Sequence, residues 1–400
     1  MIKKMNFKHK QILDLYCGWI LTIIFTPLVI ILDKIFNQNR FLNNPKNIVF
    51  IKMVGGGTLI ILYPSLYALR KKLADTKFII ITTPSLKPFA ETLKIFDQII
   101  TIDDKDINSL LFSAIRALFH SFRVDTIIDL EVHSQLSCIF TGLTISKNRI
   151  GFYIRNFFLK KKLYTHLIYF SPFSGSFNFY DLLPSLYSAP LTDINELRKY
   201  FLEKNQIKIH KKTNSEVGHR KIGIGHACSN FMPERMLSSK QWELYIASRL
   251  TQDNNMKLHF FGGKISYSST EKLIEDLRQK FPDLNIENLC DNSLTDTLIK
   301  MAEMDEFWTI DSALNHYARL MGLKIVSFWG PTSPKILLRK IPELSENIYY
   351  KNVPCSPCVH INLSSPCKGD NICIKNIFKF EGSESLNELS IIIHSTENKL

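Results

Sequence analysis

Asp311 and Ser312, followed by three residues and then His316, are side chains whose types and spacing could do chemistry. At the start of a helix, the oxygens of Asp311 and Ser312 can accept the amides that the first turn leaves unpaired. Ser312 and His316 are four apart and share a helix face. Gly330-Pro331-Thr332 follows the next apolar run. A second set is Asp129, Glu131 and His133, which alternate at the end of another apolar run. In a strand they point to one face, where acids and an imidazole can serve a reacting proton; the other reading is that they cap and hydrogen-bond the helix that follows. Gly55-Gly56-Gly57-Thr58 joins a strand-like run to a helical one. Glycines let a backbone come close to a ligand, and a helix N-terminus favours anions. A plain tight turn is the alternative, since the string fits neither a Walker A loop nor a GxGxxG fingerprint. Cys355, Cys358, Cys367 and Cys373 form a cluster whose first pair has metal-ligand spacing. Four thiolates suit a closed zinc site; redox-active thiols and unligated cysteines are the other readings.

Alternating strand-like and helical stretches must position these groups. Strands are expected over Ile48–Met53, Lys77–Thr82, Gln98–Ile102 and Thr126–Leu130, with helices over Thr58–Lys72 and Ser109–Ser121. The alternation then repeats. Strands are expected over Lys221–His226, Lys257–Phe261, Asn285–Leu289, Phe307–Ile310 and Lys324–Trp329, and helices over Lys240–Gln252, Thr270–Lys280 and Leu294–Ala302. Gly322 stops the helix that begins at Asp311-Ser312. Strand–helix–strand units of this size favour parallel sheets, whose ligands bind at the carboxyl ends of the strands. The chain therefore reads as α/β: a basic and apolar lead over 1–45, a first domain over 46–205, a polar linker over 206–220 and a second domain over 221–400. Asp104-Lys105-Asp106 sits in a charged stretch and reads as a solvated loop rather than a cation-binding pair.

The chain has 400 residues, 45% of them hydrophobic, and a net charge of +13. That suits a globular protein with an anionic partner, such as a phosphorylated glycolipid or an acidic membrane face. There is no helix-turn-helix, RNA-binding signature or zinc-finger spacing with histidines, which sets nucleic acid aside. Leu15–Leu32 is an uncharged run of 18 residues. As a helix it is about 27 Å long, at the lower edge for crossing a bilayer. Lys3, Lys4, Lys8 and Lys10 precede it, and no small-residue cleavage site follows. It reads as a membrane anchor, an interfacial helix, or a helix buried on the body, with Pro27 expected to kink or break it. A full crossing from a cytoplasmic N-terminus would export everything downstream, so attachment at the membrane surface is the preferred reading.

The stretch Phe307–Pro334 resembles the C-terminal signature of glycosyltransferase family 9, the heptosyltransferase-like enzymes of lipopolysaccharide assembly. That signature runs Asp-Ser/Thr, three residues, His, an Ala/Gly-containing helix, a short strand, then Phe-Gly-Pro-Thr-x-Pro. Here the positions are Asp311, Ser312, His316, Gly322 and Phe328 to Pro334, with Trp329 before Gly330 as a departure. The four-cysteine segment is similar to one that follows Gly-Pro-Thr in a subset of the family. The resemblance implies a GT-B fold, two doubly wound Rossmann-like domains facing a cleft, and an inverting, metal-independent transferase that needs no cofactor for transfer. The implied donor is a nucleotide sugar, ADP-heptose. The implied acceptor is an anionic glycolipid of the lipopolysaccharide core, met at the cytoplasmic face of the inner membrane.

Asn230, Arg235 and Lys240 resemble the family's loop near the leaving diphosphate. With Asp311, Ser312, His316, Gly330, Pro331 and Thr332 they make up the implied donor site. Within it Ser312 and the helix amides suit phosphate, and Asp311 suits a sugar or ribose hydroxyl. Gly55, Gly56 and Gly57 match the family's first motif. Many members carry an Asp base where this chain has Thr58, whose hydroxyl is too weakly basic for that task near neutral pH. Some relatives with a small hydroxyl residue there also carry Asp-Leu-Glu, which makes Glu131 the candidate base and His133 the second. Without a competent base the chain would be a catalytically silent, membrane-attached sugar-nucleotide or glycan-binding protein. A transferase using a different donor sugar is the remaining reading.

Overall fold

The structure, a computed structural model, describes residues 7–36, 38–154, 160–171, 174–210, 219–228, 233–350, 353–358, 365, 367, 370–375, 377 and 391–392. The chain divides into two compact units, Met1–Asp193 and Ile194–Leu400.

The first unit holds strands β1 (Asn47–Ile51), β2 (Lys77–Thr82), β3 (Gln98–Thr101), β4 (Thr126–Asp129), β5 (Asn148–Tyr153) and β6 (His166–Tyr169). They pair in parallel in the order β3-β2-β1-β4-β5-β6. Its helices are α1 (Phe7–Phe36), α2 (Gly56–Lys72), α3 (Lys87–Leu93), α4 (Ile107–Ser121), α5 (Gln135–Leu143), α6 (Lys160–Leu163), α7 (Ser176–Tyr180) and α8 (Leu182–Ser185). A parallel sheet covered on both faces needs continuous apolar strands rather than alternating ones. Ile48, Phe50, Ile80 and Ile128 are accordingly fully buried.

The second unit holds α9 (Ile194–Lys204), α10 (Ser239–Leu250), α11 (Tyr267–Lys280), α12 (Leu294–Met301), α13 (Ala313–Met321), α14 (Pro334–Leu337) and α15 (Ile372–Lys375). Its strands are β7 (Arg220–Gly225), β8 (Met256–Phe260), β9 (Asn285–Asn288), β10 (Glu306–Ile310), β11 (Ile325–Trp329), β12 (Glu346–Tyr350) and β13 (Ile391–Ile392). They run β13-β12-β11-β10-β7-β8-β9, all parallel except β13. The division falls before α9, earlier than the polar stretch 206–220 suggests. Phe201 explains this by packing on Tyr317 with ring centroids 5.9 Å apart, and Arg198 Nε donates to Leu320 O at 2.9 Å. Both contacts tie α9 to α13. In each unit the first strand lies inside the sheet, and the winding reverses between β1 and β4 and between β7 and β10. A doubly wound sheet leaves its ligand crevice at such a switch point.

α1 carries the uncharged run and continues through Pro27 instead of ending there. Val29 is fully buried among Cys138, Ile139 and Leu163 of α5 and α6, with Phe25 and Leu32 beside it. Gly18 permits close approach to α5, since a Cβ there would lie 2.5 Å from Gln135 Cβ. Asp14 accepts from Ser134 Oγ at 2.7 Å and from the Leu136 amide at 2.9 Å. That sets a carboxylate on the positive end of the α5 dipole. Near the other end, Asp33 accepts from Arg149 Nη1 at 2.9 Å. These contacts lie on both sides of Pro27, so the loss of one helix amide does not end the helix.

Candidate functional site

In the second unit β10 ends at Ile310, and Asp311-Ser312 turns the chain into α13. Ser312 has the extended N-cap backbone but its side chain makes no cap bond; its Oγ lies 3.4 Å from Thr309 Oγ1. The expected capping by Ser312 is therefore absent. The helix closes at Gly322 in the left-handed region, φ 78°, as its sequence requires. Asp311 turns instead toward Arg235, which stands in the short turn Pro233–Arg235. Arg235 Nη1 donates to Asp311 O at 2.9 Å and lies 3.4 Å from Asp311 Oδ2. Burial disfavours the Arg235 charge, but Asp311 and Cys228 outweigh it and hold its pKa above the ordinary value. A permanent cation is thus fixed beside the start of α13, at the switch point between β7 and β10.

His316 lies one turn into α13, its Nε2 4.0 Å from Asp311 Oδ1. Burial pushes its pKa down to about 4 against the pull of Asp311. At neutral pH it is a neutral hydrogen-bonding group, not an ion-pair partner. Buried groups of this unit without a hydrogen-bond partner among the described residues include, besides atoms of Glu234, Trp242, Tyr245 and His259, His226 Nδ1 just after β7, both amide atoms of Asn315 in α13, and Thr332 Oγ1 after β11. Buried polar atoms are nearly always paired, so these mark where a ligand or water would complete the network. His226 is also neutral at pH 7, its pKa pushed to about 4 by burial. Sequence reasoning did not single out His226 or Asn315. The available signal was position: one closes the β7 run, and the other directly precedes His316.

The Gly330-Pro331-Thr332 loop is braced from behind. Ser356 Oγ donates to Gly330 O at 2.6 Å, and the Cys358 amide donates to Pro331 O at 3.0 Å. A Cβ on Gly330 would lie 2.5 Å from Ile374 Cδ1 and 3.1 Å from Cys373 Sγ. The same C-terminal segment reaches the Arg235 turn, where Asn371 Nδ2 donates to Glu234 O at 2.9 Å. All four of Cys355, Cys358, Cys367 and Cys373 are free thiols. Among the described residues no group of three or more His, Cys, Asp or Glu is placed to hold a metal. Cys355 is exposed and Cys373 packs on Gly330, and the four lie near enough that Cys355 and Cys367, after burial, help to hold the Cys358 and Cys373 thiols above the ordinary value. Lys240 points along the exposed side of α10 to Glu243, 3.1 Å away. Asn230 lies outside the described residues.

In the first unit the Gly55–Thr58 string enters α2, with Gly55 in the left-handed region at φ 88° and no side chain capping the helix. A Cβ on Gly56 would lie 2.7 Å from the Phe89 ring, which would have to shift to admit it. Thr58 sits in the first turn of α2, half-buried. Glu131 spans the switch point to this loop. Its Oε1 accepts the Met53 and Val54 amides at 2.7 and 2.9 Å, and its Oε2 lies 3.0 Å from Lys52 Nζ. The expected alternation of Asp129, Glu131 and His133 does not hold, because β4 ends at Asp129 and the chain bends. Asp129 is buried and accepts from Ser137 Oγ at 2.8 Å, Tyr164 Oη at 2.7 Å and the Glu131 amide at 2.9 Å. His133 is exposed, edge-on to Phe170 with centroids 6.0 Å apart. Asp106 caps α4 through the Ser109 amide at 2.9 Å, where the sequence suggested a solvated loop.

The family model for glycosyltransferase family 9 (heptosyltransferase) matches residues 187–368. No curated protein matches the chain by sequence. Among solved structures it is similar to E. coli ADP-heptose LPS heptosyltransferase II, with 14% identity over 77% of this chain and 91% of that one, at a TM-score of 0.57. A glycosyltransferase family 9 structure from Veillonella parvula shares 16% identity over 78% of this chain and 87% of that one, at 0.56. E. coli heptosyltransferase WaaC with ADP shares 14% over 76% and 92%, at 0.58. At these identities the structural likeness is one of fold, and that fold is GT-B with two Rossmann-like domains.

Proposed function

We propose the following from the premise that this chain, through residues 187–368, belongs to glycosyltransferase family 9 and is a glycosyltransferase. It moves a sugar, heptose from ADP-heptose, onto a lipopolysaccharide core or related anionic glycolipid at the cytoplasmic face of the inner membrane. The observation that carries the donor half is Arg235, held by Asp311 beside the uncapped start of α13. A guanidinium and unpaired helix amides together suit a diphosphate and stabilise the charge that develops as it leaves. Neutral His316, Asn315 and Thr332 then serve sugar or ribose hydroxyls. On the acceptor side Glu131 takes the proton of the attacking hydroxyl. Its Oε1 holds the loop, and Oε2, 3.0 Å from Lys52 Nζ, is the oxygen with a lone pair to use. No step needs a metal ion.

One observation favours a second reading, a sugar-nucleotide-binding protein without transfer. Thr58 replaces the family's base, and Glu131 is already committed to the loop beside it. Incubation with ADP-heptose and a defined core acceptor separates the two. We expect turnover that falls at least a hundredfold in Glu131→Gln with donor binding intact, and donor binding weakened tenfold or more in Arg235→Ala. Donor-induced thermal stabilisation with no product from any core acceptor would favour the silent reading.

A further inference from the structure

We propose that α1 and α4 together form one in-plane docking surface for an anionic lipid bilayer, and that α1 does not cross it. This deepens the membrane reading above and can fail without it, or survive the failure of the sugar assignment.

Two contacts link the helices near their ends in the first unit. Lys10 of α1 pairs with Asp104 at the entrance to α4, and Arg123, just past the end of α4, stacks on Phe36 of α1 at 4.5 Å. Each turns apolar side chains outward. On α1 these include Tyr16, Trp19, Ile24 and Ile31; on α4, Phe112 and Phe119 are 74% and 77% exposed. Helices on a water-facing surface place their apolar stripe inward. Two helices of one unit that carry apolar side chains on the outer side as well as the inner form a patch of the kind that marks an interaction site.

Charge selects the occupant. Residues 107–121 contain no acid, and Arg116 and His120 are exposed there. With Ile100 and Phe112 these two line a hollow of about 300 Å³ between α4 and the edge strand β3. Lys34 is exposed on α1. Of the acids nearby, Asp14 is turned to α5, Asp33 to Arg149 and Asp106 to the α4 amides, while Asp104 is paired with Lys10 and Asp103 with Lys105. An apolar face bordered by basic groups matches a bilayer carrying anionic headgroups.

The same contacts exclude a crossing. α1 is long and apolar enough to span by composition. Lifting it into the bilayer core would strip Asp14 and Asp33 of their partners, and would leave Arg149, whose side chain is 1% exposed, without its carboxylate. Bare ions in hydrocarbon are costly, whereas an in-plane helix keeps every one of these pairs.

Trp19 makes the test direct. Of the four tryptophans, Trp242, Trp308 and Trp329 are fully buried and Trp19 is exposed. The full chain is titrated with vesicles of phosphatidylethanolamine and phosphatidylglycerol, 3:1, and with pure phosphatidylcholine. Expected are a blue shift of emission with the anionic vesicles and at least tenfold weaker partition to phosphatidylcholine. Phe112→Glu/Phe119→Glu should lower partition to anionic vesicles at least tenfold with an unchanged melting temperature. Wild-type partition in that variant would remove α4 from the surface. Depth is read with brominated lipids, comparing Trp19 with an Ile24→Trp variant in a Trp19→Phe background. Equal, shallow quenching is expected, and maximal quenching of position 24 at the bilayer centre would establish a crossing. A dimer that the double variant converts to monomer, with lipid partition unchanged, would make a second copy the occupant and overturn the proposal.

Discussion

A carboxyl buried as completely as Asp129 is costly to ionise. Burial raises its pKa to about 6, against the lowering pull of Lys160, Tyr164, the Glu131 amide and Ser137. Between pH 4 and 6 the folded state therefore holds a proton that the unfolded state has lost. The stabilisation is complete below the unfolded pKa and disappears as pH rises through about 6. Relative to Asp129→Asn, the wild type should lose on the order of 2–3 kcal/mol between pH 4 and 7 in denaturant unfolding. Parallel pH curves for the two proteins would show that Asp129 is not protonated in the fold. At this scale the sequence was readable where one residue does one job. Gly322, at φ 78°, stops its helix as expected. It misled where a role depended on where a strand ends. Alternation placed Asp129, Glu131 and His133 on one face, but the bend after Asp129 sends Glu131 across to β1–α2 and His133 to solvent. A two-residue period holds only while the backbone stays extended.

Among the elements, the C-terminal segment around α15 is the one whose part was least legible. Cysteine spacing suggested a metal; the contacts add a brace between the Arg235 turn and the Gly330 loop, which spacing did not suggest. Spacing along the chain reports which residues sit close in a turn, not what the segment packs against. Strands β1 to β4 and β7 to β11 were legible because buried parallel strands are plain apolar runs, whereas β5, β6, β12 and β13 were not read from the sequence. Gly330→Ala tests the brace. Its Cβ meets Ile374 and must displace the segment, at a cost of roughly 1–3 kcal/mol. A lower melting temperature and weaker ADP-heptose binding are expected together. Unchanged binding in a destabilised protein would show that the segment supports the fold without shaping the donor loop.

Across the whole chain, both units use the same winding, with a charged side chain bridging each switch point: Glu131 in the first and Arg235 in the second. This repeat follows from alternating runs and was legible, and the division into two was too. Its position was not, because α9 is held by Phe201 and Arg198 and not by composition. The apolar lead was the other element whose placement needed tertiary contacts. Asp33→Ala should destabilise the first unit by about 2–3 kcal/mol, less than the usual cost of breaking a buried pair, because Leu163 O and Ser146 O still accept from Arg149. Urea unfolding should show this loss in the first unit while the second keeps its donor binding. Equal stability in wild type and variant would mean that α1 is a detachable tag.

The contact of Asp14 with Ser134 spans 120 residues. At roughly 5–20 residues per second, about 6–24 s of synthesis separate the apolar helix from the amides that its carboxylate caps. For that interval α1 leaves the ribosome with both its faces uncovered. The nascent chain therefore meets chaperones or lipid before it can meet itself, so the order of translation decides which surface of this helix is claimed first.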